Sequence, residues 1–313
     1  MAETIALIGC KVSRQEAEYC AVLSAAMPEE RIVPFRLMDE AERAATRVAI
    51  VANPDPAEVA ALPGLVWVQS LWAGVERLVN AFDRPLPIVR LVDREMARTM
   101  AEAVLAWTYY LQRDMPAYAR QQRASVWRPH PYRKPSDLTV GLLGLGALGI
   151  AAADRLRGAG FRVAGWSRSP KSVPGIEAMH GMAALSTMLG RCDILVCLMP
   201  LTPETRGFVN ADTLAALKPG AALINFARGP IVVTDDLIAA LDRGHLAHAV
   251  LDVFDVEPLP AESPLWSHPG VTVLPHVSGP TDMPSAAATV AANLRDYRRT
   301  GQPPQGIDTA RGY

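Results

Sequence analysis

The spacing of apolar and polar residues predicts a small α/β unit at the start of the chain. Short apolar, β-branched runs predict strands at Thr4–Ile8, 48–52 and 66–69, and apolar residues at helical spacing predict a helix over 14–27. Strands that alternate with helices are typical of a parallel sheet. No glycine-rich turn follows any of these strands.

Apolar residues continue at three- and four-residue steps over 95–123, which predicts one long helix. This segment carries more large apolar residues than one buried face requires. A helix packed in the core and a contact between two copies of the chain are both compatible with it. The polar stretch 121–137 that follows is expected to be a loop. The apolar positions of the segment are Met96, Met100, Val104, Trp107, Leu111 and Met115.

A second, longer run of alternating strands and helices follows the loop and predicts a doubly wound sheet. A final helix over 286–300 is expected to pack back on the first unit. The predicted strands lie near 139–143, 162–166, 193–198, 221–225, 247–252 and 271–274, and the helices near 148–158, 183–189, 211–217 and 234–242.

The first strand of this second run leads into Gly144-x-Gly146-x-x-Gly149 and then an alanine-rich helix. In the dinucleotide-binding fingerprint the first glycine permits the tight turn and the second lets the backbone approach a pyrophosphate. The third lets helix and strand pack closely, and the helix N-terminus, here Ala147 and Leu148, faces the phosphate charge. We therefore predict a dinucleotide site near mid-chain.

The residues after the next strand favour NADP(H) over NAD(H). An acidic residue at this point would bind the ribose 2′-hydroxyl of NAD, but the chain has Ser167, Arg168, Ser169 and Lys171 instead. A guanidinium and hydroxyl groups can bind a 2′-phosphate by charge-assisted hydrogen bonds. The alternative is a solvated basic loop that says nothing about the cofactor.

Three ionisable residues, Arg228, Glu257 and His276, each follow a predicted strand. In an open α/β sheet the ligand crevice lies at the carboxyl ends of the strands, so these side chains are expected to converge near a nicotinamide. Each alone has an ordinary explanation, as a helix cap, a surface carboxylate or a buried histidine. Together, behind a nucleotide fingerprint, they indicate a catalytic site.

Composition limits the classes of partner. The 313 residues suffice for two domains, and a net charge of −1 gives no electrostatic case for nucleic acid or a membrane surface. No apolar run approaches the roughly 18 residues of a membrane span, and the acidic N-terminus does not resemble a signal peptide. Cys10, Cys20, Cys192 and Cys197 lack metal-ligand spacing and are expected to be buried free thiols, as suits the cytoplasm.

Over nearly its whole length the chain resembles the D-isomer-specific 2-hydroxyacid dehydrogenases, and within them the glyoxylate/hydroxypyruvate reductase A type. The series of Arg228, Glu257 and His276 in these settings is highly specific, whereas the glycine fingerprint alone is not. The matching segments are GLGALG at 144–149, WSRS at 166–169, PLTPET at 200–205, NFARG at 225–229, LDVFDVEPL at 251–259, PLW at 264–266, PHV at 275–277 and DTARGY at 308–313.

The resemblance implies an NADPH-dependent reduction of small 2-oxoacids, with NAD(H) as a possible second cofactor. His276 would give the proton to the carbonyl oxygen, because an imidazole can hold or release one near neutral pH. Glu257 would orient the ring and favour its protonated form. Arg228 would bind the substrate carboxylate and polarise the carbonyl.

The resemblance also implies further contacts. The loop 70–75 would bind the substrate carboxylate through the N–H groups of Ala73 and Gly74, with Trp72 as a wall that limits substrate size. Trp72 as a core residue is the alternative. The cofactor contacts that the resemblance adds are Leu198, Pro200 and Thr205 on the adenosine side, Asp252 near the nicotinamide carboxamide, and Phe226 and Ala227.

We therefore expect two Rossmann-like domains with parallel doubly wound sheets, the cofactor domain inserted into the substrate domain. Residues 1–97 and 281–313 would bind substrate, and 98–280 would bind NADP. The resemblance, together with the apolar segment 95–123, implies a homodimer, and no metal is expected.

Two departures and two alternatives stay open. Ser278 and Pro280 stand where the family more often has small residues such as alanine, which leaves the preferred 2-oxoacid, or another small acid, open. Formate dehydrogenases of this fold lack the glutamate partner, so Glu257 disfavours that activity. A nucleotide-sensing corepressor of the same fold would need an exposed peptide-binding cleft and extensions or tails.

Overall fold

The chain divides into two compact units, each with its own parallel sheet. The first unit is Met1–Met96 with Thr281–Tyr313, and the second is Ala97–Pro280. The structure, a computed structural model, describes residues 3–9, 13–79, 82 and 85–308. Cys10 and the end of the 308–313 segment therefore lie outside the described residues. The two units together confirm the predicted α/β class with a second domain inserted into the first.

The first unit contains a five-stranded sheet in the order β2-β1-β3-β4-β5, with every pair parallel. Successive residues of β1 enter opposite cores: Ile5 and Leu7 pack on one face, and Ala6 and Ile8 on the other. Its elements are β1 Thr4–Ile8, α1 Ser13–Ala26, β2 Arg31–Pro34, α2 Glu40–Ala45, β3 Val48–Val51, α3 Pro56–Ala60, β4 Trp67–Ser70, β5 Ile88–Val89 and the C-terminal α10 Met283–Thr300.

Helix α10 belongs to the first unit, as the sequence predicted. Its buried face, which includes Val290 and Leu294, packs in the same core as Ile5 and Leu7. The side chain of Asn293 donates a hydrogen bond to the fully buried Gln69 of β4 at 2.8 Å. The C-terminal helix thus completes a sheet that the N-terminal segment begins.

The second unit contains a seven-stranded parallel sheet that helices cover on both faces. Helices α4 and α6 pack on one face and α7, α8 and α9 on the other. Its elements are α4 Arg94–Gln112, which begins in the first unit, α5 Met115–Arg123, β6 Thr139–Leu143, α6 Ala147–Gly158, β7 Arg162–Ser167, β8 Glu177–His180, α7 Gly181–Leu189, β9 Ile194–Cys197, α8 Ala211–Ala215, β10 Ala221–Asn225, α9 Thr234–Asp242, β11 Leu246–Leu251 and β12 Val271–Val273.

The strand order of this sheet is β12-β11-β10-β9-β6-β7-β8. The order reverses between β6 and β9, and in such sheets a ligand binds outside the carboxyl ends of the strands at that switch point. The register places five strand ends in one row: Leu143 pairs with Cys197, Cys197 with Asn225, Asn225 with Leu251, and Leu251 with Val273.

Two parts of the second unit differ from the sequence expectation. The predicted single helix over 95–123 is broken into α4 and α5 at Asp114, whose backbone is left-handed with φ of 54°. Pro116 has no N–H and its ring clashes with a continuing helix, which explains the break. Strand β8 was not predicted, because its residues are largely exposed and lack an apolar pattern.

The described cysteines carry free thiols, with Cys192 and Cys197 buried and Cys20 half-buried. Burial raises the pKa of Cys192 to about 12, with the charge of Asp193 adding to the effect. Burial alone does the same for Cys197. Both thiols therefore remain protonated and unreactive at neutral pH. Within the described ranges, no helix combines the length and apolar character that crossing a bilayer requires.

His248 is a buried histidine in β11, on the amino-terminal side of the sheet. Its Nε2 lies 2.8 Å from the hydroxyl of Thr272, while its Nδ1 has no hydrogen-bond partner among the described residues. Burial lowers its pKa from 6.5 to about 4, and the charges of Arg120 and His268 add to the shift. The folded protein therefore holds this imidazole neutral, and the group belongs to the core rather than to the strand-end site.

We expect His248 to make the second unit sensitive to acid. Between pH 6.5 and pH 4 the unfolded chain binds a proton that the folded one refuses, so stability falls as the pH falls, by about 3 kcal/mol in full. Urea unfolding at pH 7 and pH 4.5 measures this loss. His248→Gln should remove most of it, whereas the exposed His180→Gln should keep it. Equal acid losses in all three proteins would contradict the assignment.

Candidate active site at the carboxyl edge of the larger sheet

The three glycines after β6 have three different spatial settings. Gly144 has φ of 108°, and a Cβ there would lie 2.9 Å from the backbone nitrogen of Met199. A Cβ on Gly149 would lie 1.9 Å from the carbonyl oxygen of Gly144, so this glycine permits the close approach of α6 to the turn. A Cβ on Gly146 would have no atom within 4 Å. Space is therefore left open only at the glycine expected to face a pyrophosphate.

The turn ends at the N-terminus of α6. Gly146 is its N-cap and has no side chain to cap it, and Ala147 begins the helix. The first N–H groups of a helix have no partner within the helix, and its dipole favours a negative charge there. Gly146 and Ala147 are exposed and Leu148 is half-buried. This arrangement fits an anionic diphosphate.

The basic segment after β7 lies beside the same turn. The ammonium group of Lys171 donates a hydrogen bond to the carbonyl oxygen of Leu145 at 2.7 Å, and the backbone N–H of Gly144 donates to the carbonyl of Trp166. Lys171 thus reaches back to the glycine-rich turn, a contact that spans 26 residues. Its remaining N–H groups can serve an anion.

Ser167 is the last residue of β7, and Arg168 and Ser169 follow it. The buried hydroxyl of Ser167 donates to the carbonyl of Ser169 at 2.8 Å, which curls the chain, while Arg168 and Ser169 are exposed. The pKa of Glu204 is lowered, first by a hydrogen bond from Thr202 and also by the charge of Arg168. A guanidinium and a carboxylate therefore lie near each other where a ribose 2′-substituent is expected.

His276 and Glu257 meet, although 19 residues separate them in the chain. His276 Nδ1 lies 2.7 Å from Glu257 Oε2, and the backbone N–H of Phe254 donates to Glu257 Oε1 at 2.9 Å. The imidazole is half exposed, at 51 % of its side-chain surface. One ring nitrogen is therefore bound to a positioned carboxylate, and Nε2 is left for a substrate.

The backbone of His276 is left-handed, with φ of 56°. This conformation costs a residue other than glycine roughly 1–2 kcal/mol. The two N–H groups that follow are both held by the carboxylate of Asp252: Val277 donates to Oδ1 at 2.8 Å and Ser278 to Oδ2 at 2.9 Å. Asp252, which the resemblance places near the nicotinamide carboxamide, thus has both oxygens hydrogen-bonded to the chain itself.

Arg228 lies just beyond the end of β10 and is half-buried. Its Nη1 donates to the carbonyl of Ala227 at 2.7 Å. The side chain of Asn225 spans the same loop, because its Oδ1 accepts from the N–H of Ala227 and its Nδ2 donates to the carbonyl of Arg228. Asn225 is 1 % exposed. The sequence assigned this asparagine no role; its place at the end of a buried strand, three residues before Arg228, is the signal that could have found it.

The segment 198–205, which the resemblance assigns to the adenosine side, is held by hydrogen bonds between two threonines. Thr205 Oγ1 donates to the carbonyl of Pro200 at 2.7 Å and accepts from the N–H of Thr202 at the same distance. Leu198 is buried, and its carbonyl would lie 3.0 Å from a Cβ on Gly144. This segment therefore packs directly against the glycine-rich turn.

Phe226 and Ala227 are both buried, at 3 % and 5 % exposure. The N–H of Phe226 donates to the carbonyl of Cys197. Their side chains face the core, so a cofactor contact from these two residues would come from the backbone.

The loop 70–75 belongs to the first unit. Ser70 Oγ accepts from the N–H of Trp72 at 3.0 Å, and the ring of Trp72 makes an edge contact with Tyr19 and packs against the core of that unit. The N–H groups of Ala73 and Gly74 make no hydrogen bond to another described residue. Residues 76–79, which follow this loop, form a turn.

A nucleotide-binding turn and a histidine–carboxylate pair at one edge of a doubly wound sheet define a nicotinamide-dependent oxidoreductase. A family model agrees: residues 105–278 match the D-isomer specific 2-hydroxyacid dehydrogenase, NAD binding domain. The chain belongs to this family and is an NAD(P)-dependent 2-hydroxyacid dehydrogenase by class. The comparison favours an enzyme over the corepressor.

Three solved structures are similar over the whole chain. One is a D-isomer specific 2-hydroxyacid dehydrogenase from Xanthobacter autotrophicus Py2 in complex with NADPH and MES, at 39 % identity, 100 % coverage of both chains and a TM-score of 0.93. The second is the NADPH-dependent glyoxylate/hydroxypyruvate reductase SmGhrA from Sinorhizobium meliloti in complex with NADP and sulfate. Its identity is 34 %, the match covers 100 % of both chains, and the TM-score is 0.90.

The third is a probable 2-hydroxyacid dehydrogenase from Rhizobium etli CFN 42 in complex with NADP, HEPES and L(+)-tartaric acid. The identity is 31 %, the match covers 100 % of this chain and 99 % of the neighbour's chain, and the TM-score is 0.89. All three neighbours hold NADPH or NADP.

Gly146 and Gly149 provide a matched test of the cofactor site. Gly146→Ala should keep the thermal midpoint within a few degrees, since the Cβ meets open space, but weaken NADPH binding by roughly tenfold or more, since it stands where the pyrophosphate approaches. Gly149→Ala should lower the midpoint, since its Cβ overlaps a carbonyl oxygen. Calorimetry and NADPH fluorescence titration measure both. Unchanged binding in Gly146→Ala would contradict the site.

Proposed function

We propose that this protein reduces small 2-oxoacids, such as glyoxylate and hydroxypyruvate, to 2-hydroxyacids with NADPH. The observation that carries the proposal is the 2.7 Å contact between His276 and Glu257 at the sheet edge that also bears the glycine-rich turn. SmGhrA, a neighbour at 34 % identity, is a reductase of these two acids, which supports the choice of substrate.

The residues divide the reaction between them. Bound NADPH supplies the hydride that the carbonyl carbon accepts. His276, protonated, gives its Nε2 proton to the carbonyl oxygen, and the carboxylate of Glu257 holds the ring through Nδ1. The 2-hydroxyacid product leaves, and the half-exposed imidazole of His276 then takes up a proton from solvent.

The substrate carboxylate needs a cationic partner with directed N–H groups. The planar guanidinium of Arg228 suits a carboxylate and can polarise the neighbouring carbonyl. We also propose that the N–H groups of Ala73 and Gly74 take part in substrate binding, because they have no partner among the described residues. We also propose that Trp72 limits the size of the group beyond the carbonyl carbon.

The direct test is loss of nicotinamide absorbance when NADPH is mixed with a panel of 2-oxoacids. Glyoxylate and hydroxypyruvate should be reduced, and Glu257→Gln should lower kcat by roughly 10- to 100-fold, because the imidazole loses the carboxylate that positions it. The exposed Glu262→Gln serves as the control. A wild-type protein inactive on every 2-oxoacid would contradict the proposal. Activity on a larger 2-oxoacid would keep the proposed reaction but change the assigned substrate.

We further propose that NADPH is preferred over NADH. Arg168 is exposed beyond Ser167, and Lys171 lies beside the turn, so the 2′-phosphate would meet two cations. The nearby Glu204 would repel that phosphate in part, which leaves room for NADH as a weaker cofactor.

Arg168→Ala should weaken NADPH binding by roughly 10- to 30-fold and NADH binding by less than threefold, because only NADPH carries the phosphate. Isothermal titration with both nucleotides measures the two affinities. Arg243→Ala removes an exposed charge after α9 and should change neither. An equal loss for both nucleotides in Arg168→Ala would contradict the preference.

We propose a homodimer built on the segment that contains α4 and α5. One side of α4 is buried in the core of the second unit, yet this segment and the loop after it also expose large apolar side chains, with Trp127 99 % exposed. The exposed set is Tyr109, Met115, Tyr118, Val126, Trp127 and Tyr132. Sedimentation equilibrium should give twice the chain mass, and Trp127→Ser should lower the dimer fraction; a wild-type monomer would contradict this.

We also propose a cytoplasmic location, because the thiols of Cys192 and Cys197 persist free most readily in a reducing compartment. Cell fractionation tests it, and enrichment in an oxidising compartment would contradict it.

A further inference from the structure

Two buried polar residues lie directly behind the proposed catalytic side chains. Asn225 is the last residue of β10, and Asp252 is the first residue after β11, on the neighbouring strand. Each is 1 % exposed. The backbone N–H of Asp252 donates to the carbonyl of Asn225 at 3.1 Å, which continues the ladder between the strands into the loops.

Asp252 makes its side-chain contacts with the loop of His276. Its two carboxylate oxygens accept the N–H groups of Val277 and Ser278, one each. These are the two residues that follow the left-handed His276. These two hydrogen bonds fix the path of the backbone just after His276. They therefore also fix the position of the Cα from which its imidazole extends.

Asn225 does the same for the loop of Arg228. Its amide accepts from Ala227 and donates to the carbonyl of Arg228, at 3.2 and 3.1 Å. The amide thereby holds the short loop between the end of β10 and Arg228 in one conformation. The residues that do chemistry are half-buried or exposed, so their loops need an anchor of this kind to hold one geometry.

We propose that Asn225 and Asp252 are a pair of positioning residues, each of which holds one of the two loops that carry the reaction. Asp252 sets the position of the proton donor His276, and Asn225 sets the position of the carboxylate-binding Arg228. This inference rests on the proposed function for its kinetic consequences. It assigns to Asp252 a task beyond a contact with the nicotinamide carboxamide, and to Asn225 a task where none had been assigned.

The two residues should give different kinetic signatures at saturating NADPH. Asp252→Asn keeps the volume but turns one acceptor into a donor that faces an N–H group, so kcat should fall at least 30-fold while KM for the 2-oxoacid stays within threefold. Asn225→Ser cannot span the loop, so KM should rise at least tenfold, and kcat should fall by less than in Asp252→Asn, because Arg228 also polarises the carbonyl. Both should bind NADPH within threefold of wild type.

Asp235→Asn is the matched control, because Asp235 is an exposed carboxylate in the first turn of α9. It should leave kcat, KM and NADPH affinity unchanged. Equal changes of kcat and KM in both test variants would overturn the division of tasks. Asp252→Asn with normal kcat but NADPH binding weakened more than tenfold would make Asp252 a cofactor contact only.

Amide hydrogen exchange tests the anchors without an activity measurement. In the wild-type protein the N–H groups of Val277, Ser278 and Ala227 should exchange at least 100-fold more slowly than in an open loop, although the side chain of Val277 is 53 % exposed. In the variants only the N–H groups of the affected loop should lose protection. Unprotected amides in the wild-type protein would overturn the inference.

Failure of the proposed function gives a different result. A wild-type protein that reduces no 2-oxoacid would refute the proposed reaction, and the exchange of the three amides would then decide the positioning role alone. If a variant does not fold, the exchange measurement on the wild-type protein decides the positioning role instead of the kinetics of that variant.

Discussion

In the seven-stranded sheet, parallel pairing brings one row of residues level across five strands. Leu143, Cys197, Asn225, Leu251 and Val273 lie in that row. Because parallel strands all end at the same edge, the chain leaves the sheet there five times within a few ångströms of the same height. The glycine-rich turn and the loops of Arg228 and His276 all begin just beyond this row. The proposed cofactor site and the proposed catalytic pair both depend on that register.

Behind this edge two polar side chains are buried and hydrogen-bonded, and in front of it the proposed proton donor is exposed. Asn225 and Asp252 are 1 % exposed and hydrogen-bonded to backbone groups, whereas the imidazole of His276 is half exposed. A buried carboxylate without partners would cost several kcal/mol, so the folded state of these loops is strongly favoured once Asp252 is buried. The same hydrogen bonds offset the cost of the left-handed backbone at His276. The same hydrogen bonds therefore stabilise the core and fix the geometry of the site.

The local sequence predicted the elements whose signals are local. Buried strands such as 139–143 carry an apolar run, and helix α6 begins at the turn fingerprint; both form as predicted. Strand β8 was missed because an exposed edge strand needs no apolar pattern. The long helix was predicted without its break, because Pro116 was outweighed by the apolar period around it. Asn225 was missed because a buried amide at a strand end resembles any other polar residue until its partners are known.

The sequence by itself determined the class of fold, the glycine-rich turn, the absence of an acid after β7 and the presence of Arg228, Glu257 and His276 at strand ends. Each of these depends on residue type and short spacing, which local physics interprets. Only the tertiary structure decided that Glu257 meets His276, that Lys171 reaches the turn at Leu145, and that Asp252 holds the N–H groups of Val277 and Ser278. These contacts join residues 19 to 26 positions apart, so they exist only when the sheet register and the loop paths have brought the strand ends together.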